Sequence, residues 1–256
     1  MRIMTCNIRY YGAADGDDSW VHRKDFCTQI IDARTPDIIC FQEMWREQFE
    51  HMQAAFPNFD AFGIVDEPQN NHPVNTIFYR RDSFELVSPG GYWLSESPHV
   101  TGSSAWESAC VRLANWVRLI ERPSNREFRV VNTHLDHISQ PARENQARLI
   151  CEDTTAYPPE YPQLLTGDMN CDTRNPAITV FLENGWHDTY EMVHHVADPG
   201  HTFHGFKGPE YVSNTGKMDW VFCRGNMEVI DAEVITDDRE GRFPSDHYFI
   251  TADVRI

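Results

Sequence analysis

Four polar residues in this 256-residue chain stand where a short apolar run ends: Asn7 after RIMTC (2–6), Glu43 after DIICFQ (37–42), His134 after FRVVNT (128–133) and Asp168 after QLLTG (163–167). Two more, Asp219 and Asp246, stand where apolar runs begin. The ends of buried strands are where sheet-based folds place chemistry. If the last two strands run opposite to the other four, all six groups converge on one rim. The chain has 39 acidic side chains, so a carboxylate taken at random is surface decoration; position at a strand end is what singles these out.

A cluster of carboxylates and amides suits magnesium, a hard ion that takes oxygen ligands and keeps sites for water and phosphate oxygens. Glu43 is the first candidate ligand. Zinc fits less well: no HExxH or matched His/Cys spacing occurs, and His194, His195, His201 and His204 are expected on an exposed loop. The tripeptide Ser245-Asp246-His247 runs directly into an apolar strand. A histidine there can donate to a developing oxyanion if a carboxylate holds its ring, and Asp219 is the candidate holder. No GxSxG turn, P-loop or GxGxxG follows a strand, which leaves attack by an activated water as the fitting chemistry.

The elements that must position these groups can be read from periodicity. Strand-like runs recur at 2–6, 37–41, 74–79, 112–120, 128–133, 163–167, 218–223, 227–235 and 247–256. Helical spacing covers Trp20–Ala33, Trp45–Phe56, Pro141–Thr155 and 176–184, the last with Asn175 as cap, Pro176 at its first position and Gly185 to stop it. Strand and helix alternate at first, while 74–133 is strand after strand. Mixed sheets follow, two of them packed together with helices outside. No repeat, low-complexity tract or long linker divides the chain, so residues 1–256 are expected to form one catalytic domain. The stretches 66–73, 95–108 and 194–216 are expected as rim loops, and Gly90-Gly91 and Gly205 to Gly208 as turn glycines.

Composition bounds the partners. A net charge of −17 repels polyanions, which makes long duplex nucleic acid a poor partner and leaves a small phosphorylated molecule as the fitting substrate. The seven cysteines are scattered without CxxC spacing and are expected to be reduced core residues. Neither a signal peptide nor an apolar stretch of membrane-spanning length is seen, so no membrane insertion and a cytoplasmic location are expected.

The ordered set TCNIRY (5–10), QE (42–43), NTHLDH (132–137), TGDMN (166–170), MDWVF (218–222) and SDH (245–247) resembles the endonuclease/exonuclease/phosphatase superfamily, across the whole chain. The resemblance implies an α/β (α+β) fold of DNase I-like type, a four-layer sandwich of two packed mixed sheets flanked by helices. It implies that Asn7 and Glu43 orient and bind Mg2+, with Mn2+ as a possible substitute, and that Asp246 is a further metal contact. Asp168 would orient or deprotonate the attacking water and Asn170 hold phosphate or water in line. His247, held by Asp219, would stabilise the transition state or protonate the leaving group, and His134 would add a second donor. Ile8-Arg9 stands where apurinic endonucleases carry Trp-Asp, which argues against abasic-site repair. The sequence is closer to small bacterial members sharing GYWLSE (91–96) and TFHGF (202–206), which suggests Arg112 and His204 as substrate contacts.

The reading this supports is a metal-dependent hydrolase of a small phosphomonoester or phosphodiester, such as a sugar, inositol or nucleotide phosphate. A nuclease acting on single-stranded or short nucleic acid is the alternative and would need a basic or aromatic groove. An inactive binding module would show broken motifs, and none is broken here.

Overall fold

The structure is a computed structural model that describes residues 1–67, 69 and 71–256. Pro68 and Asn70, inside the expected rim loop 66–73, lie outside the described residues. In chain order the elements are β1 (Arg2–Asn7), α1 (Trp20–Ala33), β2 (Ile38–Gln42), α2 (Arg46–Ala55), β3 (Phe59–Phe62), β4 (Ile77–Arg80), β5 (Phe84–Trp93), β6 (Leu113–Glu121), β7 (Arg126–His134) and α3 (Gln140–Thr154). Then come β8 (Gln163–Asp168), α4 (Pro176–Glu183), β9 (His187–Asp188), α5 (Thr189–His194), β10 (Asp219–Arg224), β11 (Glu228–Ile235) and β12 (Phe249–Arg255).

Among the described residues the strands form two six-stranded sheets, ordered β11-β12-β1-β2-β4-β3 and β5-β6-β7-β8-β10-β9. Each is mixed and built on the same plan. A parallel pair, β1 with β2 or β7 with β8, lies in the middle, and an antiparallel partner, β12 or β10, runs beside it. Because β10 and β12 run against the parallel pairs, their first residues meet the last residues of β8 and β1. The register is direct in one case: Asp219 opens β10 opposite Asp168, which closes β8.

The central strands are apolar on both faces because both faces are covered. Ile3, Ile38, Cys40, Val130, Leu164 and Val221 fill the space between the sheets. Their neighbours Met4, Ile39 and Phe41 turn outward to α1 and α2, joined by Trp20, Cys27, Ile31 and Met52. On the other sheet Val131, Leu165 and Phe222 turn outward to Ala147 and Ile150 of α3 and Ile178 and Phe181 of α4. Each fully buried side chain of this size contributes about 1.5–3 kcal/mol of transfer free energy. The result is the four-layer α/β/β/α sandwich expected from the sequence.

Several elements differ from expectation. Gly90 and Gly91 lie inside β5, not in a turn; a Cβ at Gly90 would stand 2.3 Å from the Trp116 ring, so the close cross-strand approach needs them. β3, β5, β9 and α5 did not stand out in the sequence. Cys110 is exposed, while the other six cysteines are buried; all seven are free thiols. Among the described residues no helix is long and apolar enough to cross a membrane.

Candidate active site

Asn7, His134 and Asp168 are the last residues of β1, β7 and β8, and Glu43 follows β2. Asp246 and His247 lead into β12. The six strand-end groups therefore share one rim, and with the exception of Asn7 and Asp219 they line a cavity of about 770 Å³. Beneath it, polar side chains tie the two sheets: Gln42 Nε2 donates to Asn132 Oδ1 at 2.7 Å, and Asn132 Nδ2 donates to the Phe41 carbonyl at 2.8 Å. These residues belong to the QE and NTH motifs, and their part is to fix the height of one sheet against the other.

Asp168 is the centre of the network. It receives Asn7 Nδ2 at 3.0 Å and the Asn170 backbone N–H at 2.8 Å, and lies 3.3 Å from His134 Nε2 and 3.7 Å from His247 Nε2. Gly167 seats it: at φ 151° a Cβ there would stand 2.1 Å from the Thr133 carbonyl oxygen, so only glycine lets β8 approach β7 this closely. Burial pushes the Asp168 carboxyl up to about 7; His247 opposes that rise and the Asp219 charge adds to it.

His247 Nδ1 pairs with Asp219 Oδ2 at 2.9 Å. Burial disfavours the imidazolium, yet the charges of Asp219 and Asp168 outweigh it and hold His247 well above the ordinary histidine range. Nδ1–H thus faces Asp219 and Nε2–H faces the cavity. Asp219 Oδ1 has no hydrogen-bond partner. The chain segment before Asp219 is anchored by Lys217, whose ammonium is buried against Asp188 and lies 3.9 Å from the Trp220 ring centroid.

His134 has the opposite character. Burial, with the nearby Arg112 charge, holds it well below the ordinary range, so it is neutral. Asn170 Nδ2 donates to His134 Nε2 at 2.8 Å and to the Leu135 carbonyl at 2.9 Å, which makes Nε2 an acceptor and leaves its proton on Nδ1. This pairing ties His134 to Asn170, and Nε2 also lies 3.3 Å from Asp168 Oδ2.

Glu43, Asn170 and Arg9 are non-glycine residues in the left-handed region, at φ 60°, 50° and 53°. Such backbone is sustained only where surroundings over-determine it. Glu43 Oε2 accepts the Tyr10 N–H at 3.1 Å, and Oε1 accepts Asn7 Nδ2 at 3.3 Å. Asn7 Oδ1 accepts the Arg9 N–H at 3.0 Å. In this arrangement the Asn7 oxygen is turned to the backbone and its amide nitrogen to the acids, 3.4 Å from His247 Nε2. The carboxylates of Glu43 and Asp246 remain as an oxygen pair; burial and the Glu43 charge both push the Asp246 carboxyl up, so a cation between them would relieve an existing cost. A second group able to hold a metal ion is Asp168, Asp219 and His247, whose ligand atoms lie within 4.8 Å of one another.

Behind this constellation lies Arg23 of α1, a residue the sequence did not single out. It is buried without a carboxylate and donates to the carbonyls of Asp18, Pro244 and Arg9 at 2.9, 2.8 and 3.0 Å. It thereby joins the segment carrying Asn7 and Tyr10 to the one carrying Asp246 and His247. The signal was an arginine inside the apolar face of a helix, indistinguishable in sequence from a solvated one.

Arg112 does reach the cavity wall, with Nη2 3.2 Å from His137 Nδ1 and Nε unpartnered and 4.0 Å from Asp136. His204 does not. It is fully buried, its ring 4.2 Å from Tyr248 and 4.7 Å from Phe243, with Nδ1 accepting the Gly208 N–H. The exposed-loop expectation fails for it; His194 is exposed as expected but ends α5, with Nε2 on the Ala232 carbonyl.

Burial lowers His204 to about 3. Between pH 6.5 and 3 the unfolded chain therefore binds a proton that the native state refuses. The stability His204 contributes is complete above about pH 6.5 and is lost as pH falls, with a slope of at most about 1.4 kcal/mol per pH unit. Melting curves of wild type and His204→Asn should converge as pH falls from 6.5 towards 4; a constant gap would refute the neutral, buried ring.

A two-sheet sandwich with paired carboxylates, an aspartate-held histidine and a buried aspartate at one rim defines a phosphoester-hydrolase class of site. The sequence profile of the Endonuclease/Exonuclease/phosphatase family matches residues 4–247, and the chain belongs to that family of phosphoester hydrolases. Over its full length it superposes on an endonuclease/exonuclease/phosphatase from Bacteroides vulgatus (TM-score 0.90, 29% identity, 98% of that chain). A mannosyl-6-phosphatase from Bacteroides thetaiotaomicron VPI-5482 matches as well (TM-score 0.89, 27% identity, 100% of both chains). Nocturnin of Drosophila melanogaster is 30% identical over 178 residues, which make up 64% of this chain and 26% of that one, so the chain spans about a quarter of that relative's length.

Proposed function

We propose that this protein hydrolyses a small phosphomonoester or phosphodiester, with a water attacking phosphorus in line. The observation that carries the reading is the polarity of the Asp168–His247 pair. Two groups 3.7 Å apart are held in opposite protonation roles, a carboxylate able to accept a proton near neutral pH and an imidazolium able to give one.

Asp168 takes the proton of the attacking water as its oxygen bonds to phosphorus, and the Asn170 backbone fixes the carboxylate's angle. The phosphorus–oxygen bond to the leaving group breaks, and His247 Nε2–H gives that oxygen its proton. Asp219 keeps the ring aimed throughout. Arg112 faces the phosphate across the wall as a planar cation. Glu43 and Asp246 would hold a divalent ion, Mg2+ by the hardness of its donors and Mn2+ as a substitute; bound there, it supplies positive charge to the phosphate oxygens. The mannosyl-6-phosphatase likeness over the full chain supports a small phosphorylated substrate, as does the net charge of −17, which opposes bulk nucleic acid.

The test is phosphate or leaving-group release from a panel of sugar, inositol and nucleotide phosphates and short oligonucleotides, with Mg2+, Mn2+ or EDTA. Glu43→Gln should raise the metal concentration for half-maximal activity by about 10–100-fold, with a parallel loss in Mn2+ affinity read by spin resonance. Metal-independent turnover, or unchanged Mn2+ affinity in the variant, would overturn the assignment of Glu43.

A further inference from the structure

The cavity is far larger than one phosphate. At about 770 Å³ it falls in the range of pockets that enclose a whole small molecule. The catalytic groups occupy one end, and the rest of the wall must suit the leaving group. What covers that wall is aromatic on two sides. On one, Tyr10 and Trp45 stand 5.2 Å apart, and Trp45 lies parallel on His72 at 4.3 Å and 5°. On the other, Phe203 packs edge-on to Tyr211 at 5.4 Å and to His247 itself at 5.1 Å. A leaving group that takes its proton from His247 therefore emerges against Phe203.

The Trp45 shelf is fixed before any ligand arrives. A Cβ at Gly12 would stand 2.6 Å from the Trp45 ring, so the absence of a side chain at Gly12 leaves room for the indole, and the His72 stack backs it. A pre-set aromatic surface holds a ring without an ordering cost at binding.

The polar groups on the same walls narrow the kind of ring. Asp66, Asn75 and Ser213 place a carboxylate, an amide and a hydroxyl on these walls; each bonds within the chain, to the His72 N–H, the Leu113 carbonyl and Thr215, and each keeps further hydrogen-bonding capacity of the kind a polyol uses. Among the described residues of the lining, the arginines are Arg9 and Arg112. Arg9 is taken up by Asp15 in a two-bond pair at 3.0 Å each. That leaves Arg112 for one phosphate; a second would face Asp66 and a chain of net charge −17. Neither a nucleoside polyphosphate nor a bisphosphate is matched.

We infer that the outer part of this cavity is a pyranose subsite, with Trp45 on its Gly12-dependent seat as the specificity-determining residue for a hexose monophosphate. This rests on the phosphoester-hydrolase reading above and adds the identity of the leaving group. Ring carbons would lie on the aromatic walls while hydroxyls bond to the carboxylate, amide and hydroxyl between them.

The test compares kcat/KM for mannose 6-phosphate, glucose 6-phosphate, AMP and ring-less glycerol 3-phosphate in wild type, Trp45→Leu and Gly12→Ala. A hexose 6-phosphate should exceed glycerol 3-phosphate by about 100-fold, and both variants should reduce that ratio about tenfold or more, chiefly through KM. Equal use of glycerol 3-phosphate and the hexose phosphates, a preference for AMP, or an unchanged ratio in both variants would overturn the subsite. Calorimetry on Asp168→Asn, with the same ligands and with Trp45→Leu added, separates this inference from the hydrolase reading. Tighter binding of hexose 6-phosphate than of glycerol 3-phosphate, lost with Trp45, supports the subsite even if no ester is turned over. Equal binding refutes it whatever the enzyme hydrolyses.

Discussion

Asp168→Asn should lower kcat by about three to four orders of magnitude while the melting temperature at pH 8 stays equal to that of wild type or rises above it. The substitution keeps shape and volume, so the Asn170 backbone N–H still finds an oxygen. What disappears is the carboxylate placed between Asn7, His134 and His247, the group proposed to take a proton from water. The stability half of the expectation follows from the raised carboxyl. Its native value of about 7 lies above the ordinary 3.8, so from about pH 4 to 7 the native state binds a proton that the unfolded chain gives up, and stability falls across that window as pH rises. The amide does not titrate and escapes this loss. Function here is held at a cost in stability, as buried active-site charge commonly is. Wild-type activity should climb with pH along an acid limb set by the same group, at or below pH 7 once a cation lowers it. Single-turnover kinetics alongside melting curves decide the matter; a variant that keeps a tenth of wild-type turnover would remove Asp168 as the base.

The motif ends were legible in the sequence because β1, β2, β7 and β8 are covered on both faces. Their apolar runs break off sharply at Asn7, Glu43, His134 and Asp168, and such a break marks a rim. Asp219 and Asp246 were legible for the mirror-image reason, and the antiparallel placement of β10 and β12 brings them to the same place. β5 was obscured because it is an edge strand containing Pro89, Gly90 and Gly91, residues that read as a turn until Trp116 is seen to need the space. α5 is six residues long, too short for a period to show. Orientation was beyond reach altogether. That Asn7 presents nitrogen to Glu43 depends on the Arg9 N–H across a left-handed turn, and that His134 is neutral while His247 is charged depends on burial and the Arg112 charge at the first ring and on the Asp219 and Asp168 charges at the second. His204 was misplaced because a histidine between Phe203 and Gly205 reads as loop, whereas Tyr248 and Phe243, forty residues on, enclose it.

His247→Gln should reduce kcat by about 10²–10⁴-fold, and the size of the loss should depend on the leaving group. The ring is the proton donor on the leaving-group side, so an ester whose alcohol leaves easily needs it little. p-Nitrophenyl phosphate should lose about tenfold where an alkyl phosphate loses the full amount. Asp219→Asn should reproduce much of this effect, since an amide at 2.9 Å from Nδ1 can no longer hold the imidazolium charge or fix the ring by accepting with full negative charge. The base limb of the pH profile should then move down in Asp219→Asn, because the largest charge raising His247 has gone. The two substitutions act on one unit and should not add: the double variant should be no worse than about threefold below His247→Gln alone. Full additivity would mean that Asp219 serves another group, and the candidate is already visible in its unpartnered Oδ1, which lies in the Asp168–Asp219–His247 cluster able to hold a metal ion. The cycle, run at saturating and limiting Mg2+, thus distinguishes an aspartate that aims a proton donor from one that ligates a cation: coupling to His247 that is independent of Mg2+ supports the first, and a defect relieved by added Mg2+ the second.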